Sequence, residues 1–131
     1  MDQDVEHFLL IQLDEQRMAL RLENITEIVP AMALAADSQV NSHYRGILNL
    51  RGEMIPVFDP FPSPLDEIAR MIVVLRDDGE PMGLMVDDLV DIIALEAERV
   101  TSRSIGRGQS ATFARLDEGV LRVLDPEEVA A

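Results

Sequence analysis

The chain has 131 residues, no Cys, and 25 acidic residues against 11 basic ones, for a formal net charge of −14. That length suffices for one compact domain burying roughly two-thirds of its unfolded surface, and without Cys neither a disulfide nor a thiolate zinc site can hold it together. Every basic residue is Arg and acid dominates, so nucleic acid and anionic membrane surfaces are poor partners and no nucleic acid is expected.

The opening Met1–His7 is acidic where a secretory leader would be basic, and residues 1–6 are expected to fray. No apolar run approaches the ~18 residues of a membrane helix, which together with the absence of Cys points to a cytoplasmic protein without membrane insertion. Phe8–Leu13 and Met18–Leu22 flank Asp14-Glu15-Gln16-Arg17 and predict a half-buried hairpin. Asn24 stands three residues before Glu27, the spacing of a capping box, and Pro30 closes the segment, so a short helical turn or an irregular strand is expected there. Ala31–Tyr44 shows little periodicity and predicts a loop with at most one helical turn. Next come Ile47–Leu50 and Met54–Phe58, two runs of strand character separated by Arg51-Gly52-Glu53. Gly46 and Gly52 are candidates for the entry and the reversal of this hairpin, because glycine accepts positive φ. The prolines of Pro60-Phe61-Pro62-Ser63-Pro64 make a connector.

Met71–Leu75, the reversal Asp77–Pro81 and Met82–Val86 predict another hairpin. Leu89–Leu95 predicts a strand, Glu96–Val100 a turn, and Thr101–Ser110 a mobile loop, with Gly106 and Gly108 among polar residues. Phe113–Leu116 and Val120–Leu124 flank Asp117-Glu118-Gly119 as a further hairpin. Asp125 is placed to cap a last helical turn, with Pro126 at its first position and Glu127 and Glu128 favourable to its dipole. Roughly ten short strands with frequent turns indicate one all-β domain over residues 1–131, a barrel or a sandwich.

Catalysis has little to stand on. His7 and His43 are isolated, there is no nucleophile motif, and no pair of His sits at helical spacing for a metal. The glycines do not space as a phosphate-binding loop and no Lys exists to serve one. No enzyme activity, cofactor or metal is therefore expected. Asp77-Asp78 and Asp87-Asp88 are better solvated carboxylates than a receiver or divalent-ion site, and Asp59 and Asp87 are read as structural. Met18, Met54, Met71, Met82 and Met85 fall in strands and are read as core, the alternative being an adaptable surface for a helical partner. Arg51, at a hairpin tip with a fork of five donors, either pairs internally with Glu27 or Glu53 or reaches a partner.

Gly46-Ile47-Leu48-Asn49-Leu50-Arg51-Gly52, followed by Ile55-Pro56-Val57-Phe58-Asp59, resembles the signature of the CheW-like family of chemotaxis adaptors. Glu23–Val29 is similar to that family's Val-x-Glu segment, Gly83-Leu84-Met85-Val86-Asp87 to its Gly-Leu-x-Val-Asp strand, and Val120–Glu127 to its closing segment. The resemblance implies a CheW-like fold: two intertwined five-stranded SH3-like β-barrel subdomains sharing an apolar core, with one or two short helices. It implies a non-enzymatic adaptor that couples the cytoplasmic tip of methyl-accepting chemoreceptors to the regulatory domain of a CheA-type histidine kinase, recruited to receptor arrays. It also implies that Arg51, Glu27 and Ile25 contact the receptor. A chemosensory-like pathway with a non-flagellar output, or a small acidic barrel that senses a ligand, are alternatives. The family carries a Leu-rich short helix where this chain has residues 60–64.

Overall fold

Phe8–Leu13, Met71–Leu75 and Met82–Val86 are nearly continuous apolar runs, so strands built from them must be covered on both faces. The computed structural model, which describes residues 4–31, 34–35, 43–60, 69–76 and 79–129, covers them in that way. Its strands are β1 (Val5–Leu13), β2 (Gln16–Arg21), β3 (Ile25–Pro30), β4 (Leu34–Ala35), β5 (Tyr44–Leu50) and β6 (Glu53–Phe58). Then follow β7 (Met71–Arg76), β8 (Pro81–Val86), β9 (Asp88–Glu96), β10 (Val100–Gly106), β11 (Gln109–Leu116) and β12 (Gly119–Val123), with the short helix α1 (Pro126–Val129) last.

These strands form two six-stranded sheets. The terminal sheet has the order β10-β11-β12-β2-β1-β9 and the central sheet β3-β7-β8-β6-β5-β4. All pairings are antiparallel except β12 with β2 and β6 with β8.

Strand alternation then divides the apolar residues among three clusters. Phe8 and Leu10 of β1 join Ala19, Ala114 and Val123 inside the terminal sheet. Ile72, Val74 and Met85 line the inside of the central sheet with Leu48, Ile55 and Val57. The intervening residues, Leu9, Ile11 and Leu13 on one side and Val73, Leu75, Leu84 and Val86 on the other, meet in the largest cluster, between the sheets. Each sheet wraps a core of its own and shares a larger one, so the two barrel subdomains are not separable domains. Gly83 shows how close the packing is: a Cβ there would lie 2.8 Å from Ile72 Cγ2 and 3.0 Å from Val57 Cγ2.

Several expectations need correction. Each subdomain has six strands, where five were expected. Thr101–Ser110 is no loop: β10 and β11 pair from Val100↔Ala114 to Gly106↔Gln109, turned by Arg107 and Gly108 at φ 55° and 71°. β10 is exposed almost throughout, so its sequence carries no burial alternation by which a strand could be recognised. Asn24 and Glu27 form no capping box, although the short helical turn and the irregular strand expected there are both present, as the 3₁₀ turn Leu22–Asn24 and as β3 with its register shift between Ile25 and Glu27. The turn expected at Glu96–Val100 is present, as a single 3₁₀ turn over Ala97–Arg99. Strand β1 starts within the segment expected to fray, Val5 and Glu6 pairing with Glu96 and Leu95.

Asp125 does precede α1, but its carboxylate accepts hydrogen bonds from Arg21 and Thr112, and it is the Glu128 carboxylate that accepts the Asp125 N–H. Within the expected loop at Ala31–Tyr44, β4 pairs with Ile47 and Leu48. Residues 61–64 of the proline connector and the reversal at Asp77-Asp78 lie outside the described residues. The closing pair of that hairpin, Arg76↔Pro81, is in place.

Candidate functional site

In the β5–β6 hairpin Leu50 pairs with Glu53, which leaves Arg51 and Gly52 as a two-residue turn. Both have positive φ, 51° and 88°, as a turn matching the right-handed twist of the flanking strands requires. The Asn49 side-chain oxygen accepts the Gly52 N–H at 3.0 Å. Gly46, with φ 146°, sits at the register shift where β5 begins to pair with β6. The backbone therefore fixes where Arg51 is presented.

In sheet order β3 is three strands from β6, yet the central sheet curls until the tip of the hairpin returns to it. Arg51 Nη2 donates to Glu27 Oε1 at 2.5 Å and Nη1 to Oε2 at 3.2 Å, a two-pronged pair across the mouth of the barrel. The hydrogen bonds from Arg51 are the first cause that holds the Glu27 carboxyl below its ordinary value. The pair lies at the surface, with the Arg51 side chain 73% exposed and that of Glu27 30% exposed. Exposed pairs contribute little to stability, so this one is free to open. Glu53 is occupied elsewhere, accepting two hydrogen bonds from Arg76 at 3.0 Å.

The structure brings Arg51 and Glu27 together but not Ile25. On a regular strand residues 25 and 27 would share a face. The register shift between them pairs Ile25 with Leu75 and Glu27 with Val74, and those partners face different cores. Ile25 packs against the shared core, while Glu27 takes the other face and meets Arg51. Met54, read as core, is instead 61% exposed, on the strand that leaves the tip. Met18 and Met85 are buried, and Met71 and Met82 are partly buried against the shared core.

Sequence reasoning missed Arg70. It is 4% exposed and grips Asp59 with both terminal nitrogens, at 2.8 and 2.9 Å, while its Nε donates to Asp87 Oδ1 at 2.8 Å. Burial opposes its charge most strongly, but the hydrogen bonds and charges of the two carboxylates outweigh that and raise its pKa further. Asp87 also accepts the Asp14 N–H at 2.7 Å, and its own N–H donates to the Gln12 carbonyl. The triad thus ties the ends of β6 and β8 and the start of β7 to the β1–β2 turn of the other sheet. A single Arg before an apolar run offers no spacing that announces such a role.

Two curled sheets with a common core define an all-β module of paired barrel subdomains. The chain belongs to the family of CheW-like domains, whose family model matches residues 7–131. Among solved structures it is similar to the scaffolding protein TtCheW from Thermoanaerobacter tengcongensis. The TM-score is 0.80 at 18% identity, covering 95% of this chain and 87% of that one, so the likeness is one of fold. No curated protein matches the sequence.

Proposed function

We propose that this protein is a non-enzymatic cytoplasmic adaptor that couples the cytoplasmic tip of methyl-accepting chemoreceptors to the regulatory domain of a CheA-type histidine kinase. Membership of the CheW-like family supports the scaffold role, and among the described residues no helix is long and apolar enough to cross a membrane. The observation that carries the receptor contact is the Arg51–Glu27 pair. A guanidinium is held on a strained turn, 73% exposed, with a pair that costs little to open. On this reading Arg51 exchanges Glu27 for a carboxylate or carbonyl of the receptor, Glu27 sets the strength of that exchange, and Ile25 supports β3 from beneath.

The test is co-sedimentation of receptor arrays with purified kinase and either the parent or Arg51→Glu. The variant is expected to keep its fold and lose more than about tenfold in receptor affinity, because like charge then faces the partner's acceptor. An Arg51→Glu protein that folds and co-sediments as well as the parent refutes the assignment.

A further inference from the structure

Charge is unevenly distributed along this chain. Residues 99–122 hold five Arg (Arg99, Arg103, Arg107, Arg115 and Arg122) against Asp117 and Glu118, a net +3, while the remainder holds six Arg against 23 acidic residues, a net −17. The positive stretch is the β10–β11–β12 side of the terminal sheet. In antiparallel strands directly opposed residues share a face. Thr101 lies opposite Phe113, Phe113 opposite Arg122, and Arg115 opposite Val120, so these side chains form the outer face. Ala114 and Val123 point inward, to the core of the terminal sheet.

On that outer face one small cleft of about 80 Å³ is bordered by Arg99, Arg103 and Arg115 against the single acid Glu98, together with Thr101, Phe113 and Val120. Val120 is 62% exposed there, and the Arg122 guanidinium lies over the Phe113 ring at 5.9 Å. Arg99 is engaged by Asp117 at 3.2 Å. Arg103 and Arg115 are exposed, and neither has an ion-pair partner among the described residues. β10 itself is an edge strand, pairing among the described residues only with β11, and its last six residues are all exposed.

We propose that the free edge of β10 and this cleft receive an extended acidic segment of a partner protein, added to the terminal sheet as a further strand. The edge offers unpaired N–H and C=O groups to such a segment. An added strand places every second side chain on the outer face, where carboxylates meet Arg103 and Arg115, and sends the others toward the barrel side. Charge selects the partner. Fields are screened beyond about 8 Å at physiological salt, so an acidic segment close to this face meets the local positive charge while the rest of the surface repels it. This inference uses neither Arg51 nor Glu27 and stands apart from the receptor contact.

The probe is a short fluorescein-labelled peptide in which Glu alternates with Val, read by fluorescence anisotropy with the full chain. Binding is expected to weaken with added salt and to fall by about tenfold or more in the Arg103→Glu/Arg115→Glu double variant, whose fold is checked by circular dichroism. Arg76→Glu, on β7 of the central sheet, is expected to bind like the parent. A version of the peptide N-methylated at alternate residues is expected to lose binding, because it cannot complete the strand ladder. The proposal is overturned if the parent does not bind the peptide, if the double variant binds it equally well, or if the N-methylated peptide binds as tightly. It is also overturned if this face instead mediates self-association in sedimentation or captures phosphatidylglycerol vesicles in place of the peptide.

Discussion

Replacing Arg70 with Met leaves the side-chain volume nearly unchanged but removes the one cation between two buried carboxylates. The Asp59 and Asp87 side chains are 2% and 6% exposed, so water cannot take over the role of the guanidinium. Removing one partner of such a network costs about 3–5 kcal/mol, because it strands buried charge. With an unfolding entropy of about 2.1 cal/mol/K per residue, a chain of 131 residues loses about 11–18 °C in melting temperature. The assay is thermal unfolding followed by circular dichroism at neutral pH. A charge-free variant, Asp59→Asn/Arg70→Met/Asp87→Asn, separates stranded charge from lost packing and is expected to recover most of the fall, since a buried ion network is often no more stabilising than neutral groups of similar size. An Arg70→Met protein melting within about 3 °C of the parent refutes the reasoning, as surface substitutions shift stability only that little.

Gly83→Val is expected to destabilise by about 1–3 kcal/mol in denaturant titration, because its Cβ would start 2.8 Å from Ile72. Gly52→Val meets no atom within 4 Å of the added Cβ, so its cost of about 1–3 kcal/mol comes from backbone strain at φ 88° alone, and an unchanged melting temperature would contradict that turn. The Arg51–Glu27 pair depresses the Glu27 carboxyl, so its stabilisation is present above the ordinary Glu value of 4.5 and is lost as pH falls through the lowered folded value. The melting-temperature gap between the parent and Arg51→Met is therefore expected to be small at neutral pH and to close on acidification to about pH 3, whereas a gap that widens in acid would reverse the sign of the argument.

The strands that bury both faces were the most legible in the sequence. Phe8–Leu13, Met71–Leu75 and Met82–Val86 are so apolar that any β reading of them demands two covered faces, and the three clusters supply these. β10 was illegible for the opposite reason, since an exposed edge strand rich in Ser and Arg has the composition of a loop. That Ile25 and Glu27 take different faces of β3 was not legible, because a one-residue shift reverses which face a side chain takes and a bulge leaves no mark in residue type. Arg70 stayed hidden because its partners lie 11 and 17 residues away on other elements, joined only by the closure of the two sheets.

Two arginines in this molecule make the same kind of bond to opposite effect. Arg70 and Arg51 each hold a carboxylate with two nitrogens, at 2.8 and 2.9 Å in one case and 2.5 and 3.2 Å in the other. Length does not distinguish them, but burial does. Around Arg70 no competing acceptor can enter, so the bonds lock the sheets to each other and exchange only by unfolding. Around Arg51 water reaches the guanidinium freely, the net value of the pair is small, and a partner's acceptor need only outbid a bond that already competes with solvent. The rigid triad and the exposed pair are therefore complementary: the first fixes the frame from which the second is offered. If Arg51 meets a partner as proposed, substitution at Arg70 should disturb that binding only to the extent that it disturbs folding.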